Sequence, residues 1–185
     1  MTTLEEVPAP SVDFQACQIL CLDLPSDVPP ARVVHELDGV AHPVEPSRLL
    51  AVGHALWQSW LGDPHHDRPD VLLGFDTSGI VPTLAVAMAS GLPYHLAWKL
   101  DTERHGVPRR RSAEIFTYGR LQGRRVLIVD SALTHCHAIG SLISVLRDEA
   151  ADVVGVAALT EDADGRSRMH IESAGVPLVS LTRMR

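Results

Sequence analysis

A chain of 185 residues that is 45% hydrophobic and 21% charged is long enough for one well-cored domain and short for two. Its formal net charge of -7 gives no general attraction to nucleic acid or to an anionic membrane, although Arg109-Arg110-Arg111 is a local basic cluster. No apolar stretch reaches the roughly 20 residues of a membrane span, MTTLEEVPAP lacks the basic start and apolar core of a leader, and Cys17, Cys21 and Cys136 form an odd set without paired spacing, so we expect a cytoplasmic protein with reduced thiols.

Residues 1–46 form a Pro-scattered region in which Ala16 to Leu24 and Ala31 to Leu37 read as strands, separated by the turn-rich PSDVPP. Ser47 to Trp60 is an amphipathic helix with Ser47 as N-cap, and its tryptophans are core residues. GDPHHDRP is a loop; His65-His66-Asp67 has no further ligand at metal-site spacing and reads as solvated. Asp70 to Phe75 is a strand, Asp76-Thr77-Ser78-Gly79 ends it, and Ile80 to Ser90 is a helix closing on Gly91. Leu92 to Trp98 is the next strand, with Lys99 at its end. Lys99 is the only lysine in an otherwise arginine-rich cation set, which suggests a role for a compact ammonium of tunable pKa. The polar stretch Leu100 to Ser112, with Gly106 and Pro108, is long enough for a lid.

After a short strand from Ala113 to Thr117 comes the stretch around which the chain is organised, RVLIVDSALTHCHAI. Val126 to Val129 is a short apolar run of the kind buried parallel strands show, and a helix follows from about Ala138 to Glu149. Between them Asp130, Ser131, Thr134, His135, Cys136 and His137 crowd the turn. Ligands of open α/β sheets sit at such strand ends, where the next helix points its amide groups. Two imidazoles and a thiol there are candidates for proton transfer near neutral pH, and a zinc reading, with His135 and His137 facing one ion and Asp76, Asp130 or His105 completing it, is also available. Asp152 to Leu159 and Pro177 to Leu181 are further strands around a helix from Asp164 to Ala174. The alternation from Ser47 onward predicts a doubly wound parallel α/β sheet.

Aligned without gaps, VLIVDSALTHCHAI resembles the VLVVDDVLTTGGTL type of signature of the type I phosphoribosyltransferases, which act on phosphoribosyl pyrophosphate (PRPP). The strand, Asp130, Leu133 and Thr134 match. Ser131 stands where the family has its second acid, His135-Cys136-His137 where it has Thr-Gly-Gly, and Ala138 where it has Thr. The stretch from Asp70 resembles the family's first strand and pyrophosphate loop, G-x-E-x-G-G-I-P-x-A, with Gly74, Gly79 and Ile80 matching and Ser78 replacing a glycine. Each glycine lost from such a loop reduces its capacity to turn backbone amides onto a phosphate. Lys99 stands where the family often has lysine near the pyrophosphate. His105-Gly106 resembles part of the K-D-H-G mobile loop of orotate phosphoribosyltransferases, with Glu103 in the place of the lysine that contacts pyrophosphate and Arg104 or Arg109 to Arg111 as candidate substitutes. The closing GVPLVSL also resembles the orotate enzymes.

This resemblance implies a single phosphoribosyltransferase-like domain, with residues 1–46 as a small N-terminal hood and 47–185 as the α/β core. It further implies an acid on the ribose hydroxyls, a turn on the 5′-phosphate, magnesium wherever PRPP is used, and a homodimer. The departures from the motif lead us to expect an enzyme acting on a small molecule with ordinary PRPP transfer lost and the cleft reused for acid-base chemistry such as cyclisation, dehydration or hydrolysis. Asp130, His135, His137, Lys99 and His105 are its catalytic candidates; Asp76, Thr77, Ser78, Gly79, Ser131, Thr134, Cys136, Ala138, Glu103 and Arg104 are its substrate-binding candidates. No resident metal or other cofactor is implied. The alternatives are Mg-dependent phosphoribosyl transfer from PRPP to a nucleobase-like acceptor, and a non-catalytic sensor of a nucleotide or phosphate ligand.

Overall fold

The alternating apolar runs and amphipathic stretches after residue 45 assemble into one sheet flanked by helices. The computed structural model describes residues 16–20, 31–40, 42–100, 114–117, 120–134 and 137–184. In chain order the elements are β1 (Ala16–Leu20), β2 (Ala31–His35), α1 (Pro46–Leu61), β3 (Val71–Phe75), α2 (Ile80–Ser90), β4 (Tyr94–Leu100), β5 (Glu114–Phe116), β6 (Arg125–Leu133), α3 (His137–Asp148), β7 (Asp152–Glu161), α4 (Arg166–Ser173) and β8 (Leu178–Arg183). The main sheet has the order β5-β4-β3-β6-β7-β8; its pairings are parallel except for β5 against β4. β1 and β2 pair antiparallel as a separate two-stranded sheet.

Both faces of the main sheet are covered. Ile139, Leu142, Ile143 and Leu146 of α3 and Ile171 of α4 pack with Leu73, Ile128 and Val156 on one face. Val52, Leu56 and Trp60 of α1 and Val86 of α2 pack with Leu72, Leu127, Val129 and Ala157 on the other. The result is the doubly wound α/β architecture expected from the alternation. The register between β6 and β7 shifts at Val126/Leu127. Here Gly155 admits the Trp60 ring, whose edge would collide with any Cβ at that position. Trp60 is therefore a core residue, as expected.

Several boundaries differ from the expectation, each for a physical reason. α1 begins at Pro46, with Glu45 in the N-cap position, because proline lacks the amide hydrogen that the first helical residue leaves unused; Ser47 lies inside the helix and does not cap it. β2 ends at His35, and a 3-10 turn from Glu36 to Asp38 buries Leu37 at 3% exposure in the α1/α2 core. That turn is fastened twice: the His35 amide donates to Asp38 Oδ2 at 2.9 Å, and Arg48 of α1 forms two 2.8 Å hydrogen bonds with Glu36. His66, expected to be solvated, stacks on Trp60 with ring centroids 4.1 Å apart and donates from Nδ1 to the Trp60 carbonyl at 2.9 Å. β4 runs past Trp98, so that Lys99 is a strand residue opposite Ile115.

The largest correction concerns β6. It continues four residues beyond Val129, pairing Asp130 with Ala158, Ala132 with Thr160 and Leu133 with Glu161. Asp130 and Ser131, expected in a turn, are strand residues at 5% and 4% exposure. Their polar side chains suggested a loop, but the ten-residue β7 supplies backbone partners for the whole extension and tertiary pairing overrides local preference.

Candidate active site

β3, β6, β7 and β8 are parallel and present their carboxyl ends along one edge of the sheet. From β3 the chain proceeds to its neighbour β4 on one side, and from β6 to β7 on the other, so the strand order reverses between β3 and β6. Such a switch point opens a crevice, because the two following helices lie on opposite faces.

The turn after β3 comes first. Asp76 has φ of 54°, in the left-handed region that Asp tolerates better than most residues. Its amide donates to the Ala97 carbonyl at 2.7 Å, and its Oδ1 accepts the Thr77 amide at 2.8 Å. Gly79 then brings the backbone close over both strands. A Cβ there would collide with the Phe75 backbone and lie 3.0 Å from the Val129 carbonyl, so this position admits only glycine.

Across the switch stands Asp130. Its Oδ1 accepts the Ser131 amide at 2.7 Å and the Ser78 hydroxyl at 3.0 Å, a bond between residues 52 apart in sequence. Burial raises the pKa of Asp130 from its ordinary value near 3.8 to about 7; the neighbouring charge of Asp76 adds to this, and the two donated hydrogen bonds oppose it. A carboxyl of this kind near neutral pH can act as acceptor, donor or proton carrier.

Beyond Asp130 the chain is anchored before it leaves the sheet. The Leu133 carbonyl accepts the Asp162 amide at 3.0 Å and the Ser167 hydroxyl at 3.1 Å. Thr134 follows at the strand end and is partly buried. The structure thus brings together Asp76, Thr77, Ser78, Gly79, Asp130 and Ser131 along the switch. Ala138, a substrate-binding candidate, packs against the α3-side core. His137 begins α3 and Lys99 lies in β4, but their side chains, like Glu103, Arg104, His105, His135 and Cys136 as a whole, lie outside the described residues.

One cluster at this edge escaped the sequence reading. Glu161, at the end of β7 and 2% exposed, accepts from Arg168 Nε and Nη2 at 3.0 Å each, from Ser180 Oγ at 3.0 Å and from Arg183 Nη2 at 3.1 Å. Burial alone would push its carboxyl up, but the Arg168, Ser180 and Arg183 donors outweigh it and hold the group below its ordinary range. The available signal was an acid ending an apolar strand with arginines at 168 and 183 downstream, a spacing with no local periodicity.

Among the described residues no group of three His, Cys, Asp or Glu side chains is arranged to hold a metal ion.

An open sheet with its polar turns straddling the switch is the arrangement of the type I phosphoribosyltransferases. No protein-family model matches the chain. In sequence it is 28% identical to a xanthine phosphoribosyltransferase of Geobacillus thermodenitrificans over 155 residues, covering 77% of this chain and 78% of the relative. In structure it resembles adenine phosphoribosyltransferase from Leishmania tarentolae, with a TM-score of 0.65, 19% identity, and 91% and 83% of the two chains covered. It also resembles Mycobacterium tuberculosis orotate phosphoribosyltransferase solved with inorganic phosphate, with a TM-score of 0.54, 21% identity, and 75% and 73% covered. These likenesses show that the chain has the fold of the type I phosphoribosyltransferases. Among the described residues no helix is long and apolar enough to cross a membrane.

Proposed function

We propose that the protein transfers the phosphoribosyl group of PRPP, with magnesium, to a nucleobase of the oxopurine kind. The observation that carries this reading is the xanthine phosphoribosyltransferase relative, which matches over most of both chains. It favours transfer over the reused cleft that the altered loop suggested, and turns the sequence-based alternative into the principal reading. In the reaction the bond from ribose C1 to the pyrophosphate oxygen breaks and a bond from C1 to a base nitrogen forms. Pyrophosphate leaves with the electron pair, and the nitrogen's proton is released.

Each residue group has a task in this proposal. The Asp76 to Gly79 turn receives pyrophosphate oxygens and Asp130 receives the ribose hydroxyls. Ser131 and Thr134, with the first turn of α3, are assigned to the 5′-phosphate, the place the resemblance gives them. By the resemblance, Lys99 and Arg104 are the candidates for contact with the leaving group and His135 and His137 those for proton transfer; the side chains of all four lie outside the described residues. Magnesium brought in with PRPP would supply charge neutralisation at the pyrophosphate. The expected hood, 1–46, is described only in part; within it the separate β1–β2 sheet and the Leu37 anchor support its division from the α/β core.

The test begins with calorimetric titration of the protein with PRPP and magnesium. Incubation with xanthine, guanine, hypoxanthine, adenine or orotate follows, with pyrophosphate release and nucleotide formation as readouts. Micromolar PRPP binding and turnover with an oxopurine are expected. Tight PRPP binding without product from any base would favour a sensor. No binding by the natural protein, with binding recovered when His135, Cys136 and His137 are replaced by Thr, Gly and Gly, would return the cleft to other chemistry.

A further inference from the structure

We propose that Ser78 is a positioning residue that holds Oδ1 of Asp130 from across the switch point and so reserves Oδ2 as the oxygen that meets the ligand. The inference rests on the reading above for the identity of that ligand, but the bond itself belongs to this chain. Ser78 stands where the family motif has a glycine, and a glycine has no hydroxyl to donate.

The geometry is asymmetric. Oδ1 accepts two donors, the Ser131 amide at 2.7 Å and the Ser78 hydroxyl at 3.0 Å, while among the described residues no donor reaches Oδ2. Two accepted bonds occupy the lone pairs of Oδ1. When the carboxyl takes up a proton, that proton therefore resides on Oδ2. Burial and the Asp76 charge bring Asp130 to a pKa of about 7, so both forms of the group are present near neutral pH. Ser78 makes the two forms share one orientation, in which Oδ2 accepts a ligand hydroxyl when bare and donates to a ligand oxygen when protonated. The same bond joins the β3–α2 turn to β6, holding the turn that carries Asp76 and Thr77 against the acid it faces.

Without the hydroxyl, Oδ1 keeps only the Ser131 amide. The charged form loses a donor, so the pKa of Asp130 rises, and a proton can then settle on either oxygen. A purely structural serine would alter melting temperature and leave the titration of Asp130 alone.

The experiment uses full-length protein labelled with 13C at the aspartate carboxyls, with D130N to assign the resonance and thermal melting to confirm folding. The Asp130 resonance is titrated without substrate in the natural protein, S78A and S78T. We expect the S78A midpoint to rise by about half a pH unit or more, the equivalent of one modest hydrogen bond, and S78T, which keeps the hydroxyl, to stay within a fraction of that. In the transfer assay, S78A should lose on the order of tenfold in kcat, with the acidic limb of its pH profile displaced upward in step with the resonance. An unchanged Asp130 midpoint in folded S78A would overturn the proposal, and so would an equal displacement in S78T. A displaced midpoint in a protein that binds no PRPP would support the Ser78 bond while overturning the phosphoribosyl reading, so the two fail separately.

Discussion

Asp130 illustrates the cost of keeping a carboxyl buried beside a second acid. Its pKa lies near 3.8 when exposed and about 7 in the folded chain, so between those values the folded state binds more protons than the unfolded one. By linkage, stability falls as pH rises through that window; the group costs nothing below it and reaches its full penalty above it. The penalty is at most about 4 kcal/mol, taking roughly 1.4 kcal/mol per pKa step. D130N keeps the shape and removes the charge. It should raise the melting temperature at pH 8, leave it nearly unchanged at pH 4, and abolish the proposed phosphoribosyl transfer. A melting temperature that falls by similar amounts at both pH values would mean that Asp130 is not strained in its charged form.

Among the elements, β7 and β8 are joined at their carboxyl ends by Glu161. Its neighbours Arg168 and Arg183 leave it only 3% exposed in its side chain while they remain partly in solvent. Glu161→Gln would leave two guanidinium groups facing a neutral amide and should destabilise the fold by about 2–4 kcal/mol at pH 7. Because the folded carboxyl titrates below its ordinary value of 4.5, its contribution is complete above that pH and is lost as pH falls through the folded value. The difference between E161Q and the natural protein in thermal melting should therefore narrow in acid.

The elements also divide into those that local chemistry announces and those that it does not. Helix α2 was legible to the residue because an apolar run closes on Gly91, whose φ of 72° suits the left-handed position that ends a helix. The β3–α2 turn was legible as a turn, since Asp76-Thr77-Ser78-Gly79 interrupts the apolar runs on either side. The extension of β6 was not, since Asp130 and Ser131 carry loop-like side chains and only the neighbouring strand reveals their pairing. The bond from Ser78 to Asp130 was equally hidden, for no local pattern joins residues 52 apart. His66 misled because adjacent histidines beside an aspartate look solvated until the Trp60 ring is in place.

For the molecule as a whole, β3 and β6 form the centre of the sheet, and Leu72, Leu73, Leu127, Ile128 and Val129 have no exposed surface. Their amides should exchange with deuterium only through global unfolding, whereas those of the eight-residue α4 should exchange through smaller openings. Equal exchange rates in the two regions would mean that the centre opens independently of the rest.

The pairing of β3 with β6 joins Val71 to Val126, with α2, β4 and β5 lying between them in the chain. Closing so long a segment before any contact rewards it is slow. At a ribosome adding about ten residues each second, β3 waits some five seconds for its partner. During that interval α1 and α2 already cover Leu72, but Leu73 and Phe75 have no cover, because the α3 residues they pack with are not yet made. The topology that creates the crevice thus also creates a newborn chain with a sticky face, open to contact with other chains until α3 is made.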